Sequence, residues 1–222
     1  LRRAIRARRK PLVTTGVVAA LVIYLASGIH TVGIGEVAVV QHFGRITDPA
    51  EPPGLHYRLP YPFGRHQKVK PLEVRRVEVG FRNLPGDFLE PPAYEWNVQH
   101  RGGRYVAQSE ESTLWAGDES LVDVNMVVQY RVASPVKALF GVGATLADGT
   151  SKWDTLVRAQ AEAALHAEMS CRIADTVLAV ERAAIEGAVR DRLARDLASS
   201  DSGLEVIGVC LGDVHPPLDV VP

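Results

Sequence analysis

The sequence predicts an α+β domain standing behind a single N-terminal membrane helix, and three observations carry that prediction. An uncharged run of 18 residues, 12–29, follows a ten-residue start that holds Arg2, Arg3, Arg6, Arg8, Arg9 and Lys10. A long region of strand-like alternation and proline-rich corners comes next. Two amphipathic helical patterns and one returning strand complete the chain. Strands first, helices next and a last strand place the helices over one face of a mixed or antiparallel sheet.

The uncharged run is the membrane element. Eighteen helical residues rise about 27 Å at about 1.5 Å each, close to the hydrocarbon thickness of a bilayer. Residues 11–30 therefore read as a transmembrane anchor, with Leu12, Val17, Leu21, Ile23, Leu25 and Ile29 among its apolar side chains. Basic residues stay on the cytoplasmic side of a membrane. Arg2, Arg3, Arg6, Arg8, Arg9 and Lys10 thus set residues 1–10 as a cytoplasmic tail and put residues 31–222 on the far side. In a bacterial inner membrane, the bulk of the chain is then periplasmic. A cleaved signal peptide is the competing reading, because Ala26-Ser27-Gly28 offers small residues after an apolar core. Six cations before the core favour a retained anchor, and membrane extraction of the mature protein separates the two. A buried helix of a soluble core is a third reading, disfavoured because the run has no polar face.

Composition narrows the function classes. Of 25 basic residues six lie in the tail, which leaves 19 against 26 acidic ones in the rest of the chain. That balance excludes a nucleic-acid binder selected by charge. About 190 residues after the anchor suffice for one large or two small domains with a proper core. The two cysteines, Cys171 and Cys210, both follow the anchor, where a disulfide is chemically allowed. Read as residues alone, they are expected to be two buried, unpaired thiols.

The elements follow in order. Residues 36–43 alternate as a first strand, with Val37, Val39 and Gln41 on one face and Ala38, Val40 and His42 on the other. Pro49, Pro52, Pro53, Pro60 and Pro62, with Pro71 just beyond, make residues 48–64 a corner-rich β region. Residues 68–81 read as one strand with Val77, Val79 and Phe81 on a common face. In residues 121–132, Val122, Val124, Met126, Val128, Tyr130 and Val132 take every second position, and Val127 is the apolar exception. That is the pattern of a half-buried strand. Pro135 opens a short helix ending near Gly141. Ser151 and Asp154 stand at capping-box spacing before Trp153, Leu156, Val157, Ala161, Ala164 and Leu165, which recur at helical intervals. A second helix over residues 181–197 has Ile185, Val189, Leu193 and Leu197 on one face. Its other face offers Glu186 with Arg190 and Asp191 with Arg195 as i,i+4 pairs. A last strand, 204–214, carries Val206, Ile207, Val209 and Leu211 and ends at Pro216-Pro217.

A search for chemistry finds none of the arrangements that demand it. A G-x-S-x-G elbow, an H-E-x-x-H helix, a phosphate loop and a C-x-x-C pair are all absent. Gly33-x-Gly35 and Gly141-x-Gly143 lack the rest of a nucleotide fingerprint and read as turns. His30, His42, His56, His66, His100, His166 and His215 have no local metal-ligand spacing, although ligands also converge from distant positions. Glu110-Glu111 and Asp118-Glu119 read as exposed turns before a strand. No catalytic, cofactor-binding or metal-binding residue is assigned, and no cofactor is expected.

Four segments together point to a family. The run VDVNMVVQYRV (122–132), introduced by residues 113–119 and followed by Ala133-Ser134-Pro135, resembles the central strand of the SPFH superfamily (band 7, prohibitin and stomatin). GEVAVVQHFGR (35–45), PGLHY (53–57) leading into RVEVGFR (76–82), and LGDVHPP (211–217) agree with it in the same order. The resemblance covers nearly all of the chain after the anchor and is nearest the HflK branch.

The resemblance implies a non-enzymatic scaffold whose members assemble side by side into membrane-bound rings or cages. HflK-like proteins do so as homo-oligomers or with an HflC-like SPFH subunit. They enclose an FtsH-type membrane protease and limit its access to membrane-protein substrates. A stomatin-like organiser of a lipid microdomain or channel is the alternative within the family, and an anchored hydrolase the alternative outside it. Residues 83–105 look longer than the family's usual link, and the aromatics Phe88, Tyr94 and Trp96 there are candidate contacts with the membrane or a neighbouring subunit. The charged row Glu186, Arg190, Asp191 and Arg195 is a second candidate surface. Pro216 and Pro217 are a third, because in the family this segment opens a helical region that packs subunits together; more chain is expected beyond Pro222.

Overall fold

The fold is drawn from a computed structural model, which describes residues 2–83, 105–146, 149–179 and 182–216, and of residues 2–13 the backbone alone. The chain divides into two units at Leu72/Glu73.

The N-terminal unit begins with helix α1 (Arg2–Ala26). Ser27 and Gly28 end the helix, with the Ser27 amide bonded to Ile23 O at 3.1 Å and the Gly28 amide to Leu25 O at 3.1 Å. A Cβ on Gly28 would stand 2.1 Å from Arg58 O, so only glycine fits. Strand β1 (Ile29–Val32) follows at once and pairs with β4 (Gly54–Tyr57), Ile29 opposite Tyr57. The expected anchor over 11–30 is thus corrected at its end: Ile29 and His30 are strand, because the Ser27-Gly28 turn stops the helix. Among the described residues, no helix is long and apolar enough to cross a membrane.

A three-stranded antiparallel sheet completes this unit. Strand β2 (Val37–His42) lies between β3 (Arg45–Glu51) and β5 (Gly64–Val69). Ala38, Val39 and Val40 are all buried, so the centre of β2 is covered on both faces. This agrees with the first strand read from the sequence, and the proline-rich region supplies β3, β4 and the corners between them. A cis Tyr61–Pro62 bond lies in the last corner.

The C-terminal unit is built on β10 (Leu121–Val132), which has the bounds its alternation predicts. It pairs with β11 (Leu204–His215) on one side, and with β6 (Arg75–Val79) and β9 (Thr113–Trp115) on the other. Every strand pairing among the described residues is antiparallel. The run 68–81, expected as one strand, is three pieces: β5 ends at Val69, β6 spans Arg75–Val79, and Gly80 turns the chain into β7 (Phe81–Asn83), which pairs with β8 (Tyr105–Ala107). Gly80 has φ +84° and a Cβ there would meet Val124 O at 2.7 Å. The alternation survives that break, since Val77, Val79 and Phe81 are all buried.

Helices cover this sheet. A single turn, α2 (Ser109–Ser112), precedes β9, and α3 (Pro135–Lys137) runs into a wide turn over Ala138–Val142. Helix α4 (Lys152–Met169) starts as predicted, with the Ser151 hydroxyl accepting from the Asp154 amide at 3.3 Å. It buries Trp153, Val157, Ala161, Ala164, Leu165 and Met169, and the Trp153 indole N–H donates to Ala138 O at 3.0 Å. A short helix, α5 (Ala174–Ala179), was not expected from the sequence. Helix α6 (Arg182–Ser199) buries Ile185, Val189, Leu193 and Leu197, the predicted face.

The chain leaves α6 through Gly203, at φ +71°. Its carbonyl accepts the Ala133 and Ser134 amides, tying the start of β11 to the end of β10. A Cβ at Gly203 would lie 2.6 Å from Ser134 O and 2.7 Å from Lys137 Cβ. Gly203→Ala is expected to destabilise this unit by about 2 kcal/mol or more, lowering its melting temperature by roughly 5 °C. Calorimetry of the variant checks this, and an unchanged transition would contradict the strain.

Candidate membrane-facing and assembly surfaces

The described side chains of α1 are exposed. Val17, Val18, Leu21, Val22, Ile23 and Leu25 are all exposed, Ile23 to 71%. The predicted anchor residues Val17, Leu21, Ile23 and Leu25 lie in this run, whereas the side chains of Leu12 and of the six basic residues lie outside the described part.

An aromatic group adjoins the end of this helix through Tyr24 and Tyr61. Tyr24 donates its hydroxyl to Tyr61 O at 3.1 Å, and Gly28 O accepts the Arg58 amide at 3.0 Å. Phe43 sits at the β2–β3 turn with φ 52°; its amide bonds to Phe63 O at 2.8 Å and its ring lies 5.4 Å from that of Phe63. The Arg65 guanidinium lies 5.6 Å from the centre of the Tyr61 ring, and Arg58 holds the intervening loop by donating to Leu59 O and Gly64 O. Phe43, Tyr57, Tyr61 and Phe63 are nevertheless exposed, Phe43 to 72%. Exposed aromatics with arginines beside an exposed apolar helix have the composition of a bilayer interface, where amphipathic rings sit at headgroup depth. The sequence reading missed this group; its signal was the aromatic content of the proline-rich stretch.

The second predicted surface is rearranged. The expected i,i+4 pairs of α6 do not form. Glu186 Oε1 accepts the Leu211 amide at 2.8 Å and lies 3.7 Å from Arg182 Nε, while Arg182 donates to Leu211 O and Gly212 O. Glu186 is therefore drawn to the edge of β11, where a strand N–H needs an acceptor more than an exposed arginine does. Arg190 pairs with its neighbour Asp191 at 2.8 Å, and Arg195 donates to Asp191 O at 3.2 Å. Arg190, Asp191 and Arg195 remain a solvated row. Phe88, Tyr94, Trp96 and Pro217 lie outside the described residues, and Pro216 is exposed.

Titratable groups correct two further expectations. Cys171 and Cys210 are unpaired, as expected, but exposed rather than buried. Glu111 is no free turn residue: it binds Arg82 at 2.9 Å and accepts the Gly80 amide at 3.2 Å. Burial alone would raise its carboxyl, but Arg82 and the Gly80 amide hold it below the usual range. Asp118 and Glu119 form the exposed turn expected before β10, and Asp118 also accepts the Ala174 amide at 3.3 Å. Of the seven histidines, His30 and His56 meet Glu51, and His66 stacks on His30. Among the described residues, no group of histidine, cysteine or carboxylate side chains is arranged to hold a metal ion.

The comparisons with known proteins agree with this architecture. The family model described as SPFH domain / Band 7 family matches residues 30–221. The chain is 29% identical, over 92% of its length, to Protein HflK of Treponema pallidum, covering 56% of that protein. It is 27% identical over 94% of its length to the Modulator of FtsH protease HflK of Escherichia coli, covering 40% of it, and 27% identical over 92% to Protein HflK of Vibrio cholerae, covering 42%. The chain thus spans about half or less of the length of the curated relatives it matches. With the family model matched over both units, and HflK proteins similar along nine-tenths of the sequence, the chain belongs to the SPFH / band 7 family and is HflK-like.

Proposed function

We propose that this chain is a membrane-anchored scaffold subunit, HflK-like, that assembles with copies of itself or an HflC-like SPFH subunit into rings or cages enclosing and regulating an FtsH-type membrane protease. The observation that carries the membrane half of the reading is the continuity of exposed apolar α1 with the aromatic and basic group at its base. An exposed apolar surface of that kind is costly in water and is accounted for by burial in lipid. The partner half rests on the name of the similar Escherichia coli protein, a modulator of FtsH protease. In this reading, residues 1–10 are cytoplasmic, α1 spans the membrane, and the rest of the N-terminal unit lies with the C-terminal unit on the periplasmic side.

The seat on the membrane is testable by itself. With Cys171 and Cys210 changed to serine, a spin label at position 43 or 61 in bilayer discs is expected to be reached by dissolved oxygen rather than by an aqueous nickel chelate. The reverse order would put these aromatics in water and remove their interfacial role. The protease half is tested by affinity purification in mild detergent. An FtsH-type protease recovered with the chain supports it, and large particles without any protease favour the microdomain organiser.

A further inference from the structure

Three histidines far apart in sequence meet around one buried carboxylate at the root of α1. His30 of β1 puts Nε2 2.8 Å from Glu51 Oε2 of β3, and His56 of β4 puts Nδ1 3.4 Å from Glu51 Oε1. The His66 ring of β5 stacks on His30 with centroids 4.4 Å apart and planes inclined by 26°. His30 is 9% and Glu51 8% exposed, so water screens their interaction little. The other nitrogens of His30 and His56 face Gly28 O at 3.5 Å and Pro52 O at 2.8 Å. Glu51 thus offers a single negative charge to the ring nitrogens that meet it.

We infer that this cluster is a proton-operated latch, which clamps β1 and the base of α1 to the β3–β2–β5 sheet near neutral pH and loosens on acidification, when His66 takes a proton against the stacked His30. The surrounding charges set the direction. His66 stacks on His30 of β1, and Glu51 of β3 acts on it electrostatically; His56 of β4 meets the other oxygen of Glu51, its ring 6.1 Å from that of His30. Arg58 from the turn after β4 and Lys68 from β5 add cationic charge nearby. Glu36, just before β2, lies 4.0 Å from Lys68 and is engaged there. Glu51 is thus the one carboxylate among the described residues that touches the imidazoles, and it offsets one positive charge. Further protons are uncompensated beside Arg58 and Lys68.

Burial first, then His30, Arg58 and Lys68, hold the His66 imidazole below its ordinary 6.5, with Glu51 opposing them. Below 6.5 the unfolded chain therefore binds more protons at this position than the folded one. Stability contributed by the neutral ring is complete above 6.5 and is lost as pH falls through the lowered folded value. The place of the latch matters because His30 lies four residues after the end of α1, so its release frees the joint between helix and domain. Its use as a sensor of periplasmic pH rests on the proposed topology; the latch itself does not.

Hydrogen exchange of the full chain in mild detergent, corrected for the intrinsic pH dependence of amide exchange, tests it. Between about pH 7.5 and about pH 5.5, protection in β1, β4 and β5 is expected to fall at least about threefold while that of β10 holds. His66→Phe, which keeps a ring on His30 without a charge, is expected to abolish that fall. Unchanged protection in the wild type, or an undiminished fall in H66F, would overturn the latch. Should H66F fail to fold, His66→Asn replaces it under the same criteria. Nuclear magnetic resonance titration of the histidine ring protons is the second measurement: a His66 midpoint at or above that of free imidazole would overturn the proposal.

Discussion

Tyr130→Ala is expected to destabilise the C-terminal unit by about 4 kcal/mol, among the largest losses a single substitution can cause here. Tyr130 is fully buried on β10, the strand that carries β6 on one side and β11 on the other. Its hydroxyl donates to Asp154 in the first turn of α4, so one side chain both fills the core and fastens the sheet to the helix. Tyr130→Phe keeps the ring and removes only that bond, for an expected cost of about 1 kcal/mol. Denaturant unfolding followed by circular dichroism distinguishes the two variants, and equal losses would mean that the ring does not pack as described. A pH signature accompanies them. Burial and the Asp154 carboxylate push the Tyr130 phenol well above its ordinary 10.0. The folded state therefore holds this proton more tightly than the unfolded state, and the stability it contributes is present below 10.0 and lost as pH rises beyond it. Tyr130→Phe is expected to flatten that alkaline loss.

Arginine at both position 18 and position 21 is expected to release the chain from the membrane. Val18 and Leu21 lie near the middle of the uncharged run and are exposed on α1. An arginine at the centre of a spanning helix costs about 2.5 to 3.5 kcal/mol, so two cost about 5 to 7 kcal/mol, which shifts partition by roughly four to five powers of ten. The double variant is expected in the soluble fraction after alkaline carbonate extraction, with Leu21→Ala still in the pellet. Retention of the double variant would mean that α1 does not hold the protein in lipid.

The parts legible in the sequence were those where one periodicity mapped onto one buried face. Strand β10 and the buried faces of α4 and α6 came through because a half-buried strand must alternate and a covered helix must repeat near every third or fourth residue. The break between β6 and β7 was illegible because the alternation of Val77, Val79 and Phe81 runs straight across Gly80. Helix α5 has only six residues, too few for a period to declare itself. The pairing of Glu186 failed because local spacing sees helix neighbours but not the Leu211 amide of an edge strand 25 residues away. The histidine cluster escaped for the same reason. His30, Glu51, His56 and His66 come from four strands, and only the folding of β1 and β4 against the β3–β2–β5 sheet brings them together. The surface aromatics Phe43 and Phe63 were hidden by a general prior that large apolar residues go inside.

We propose a subunit of a large membrane assembly built around a protease. Affinity purification of the full-length protein in mild detergent, with native particle mass and mass spectrometry of its components, tests it most directly. Particles many subunits in size that contain an FtsH-type protease are expected. A small particle of this chain alone would contradict it.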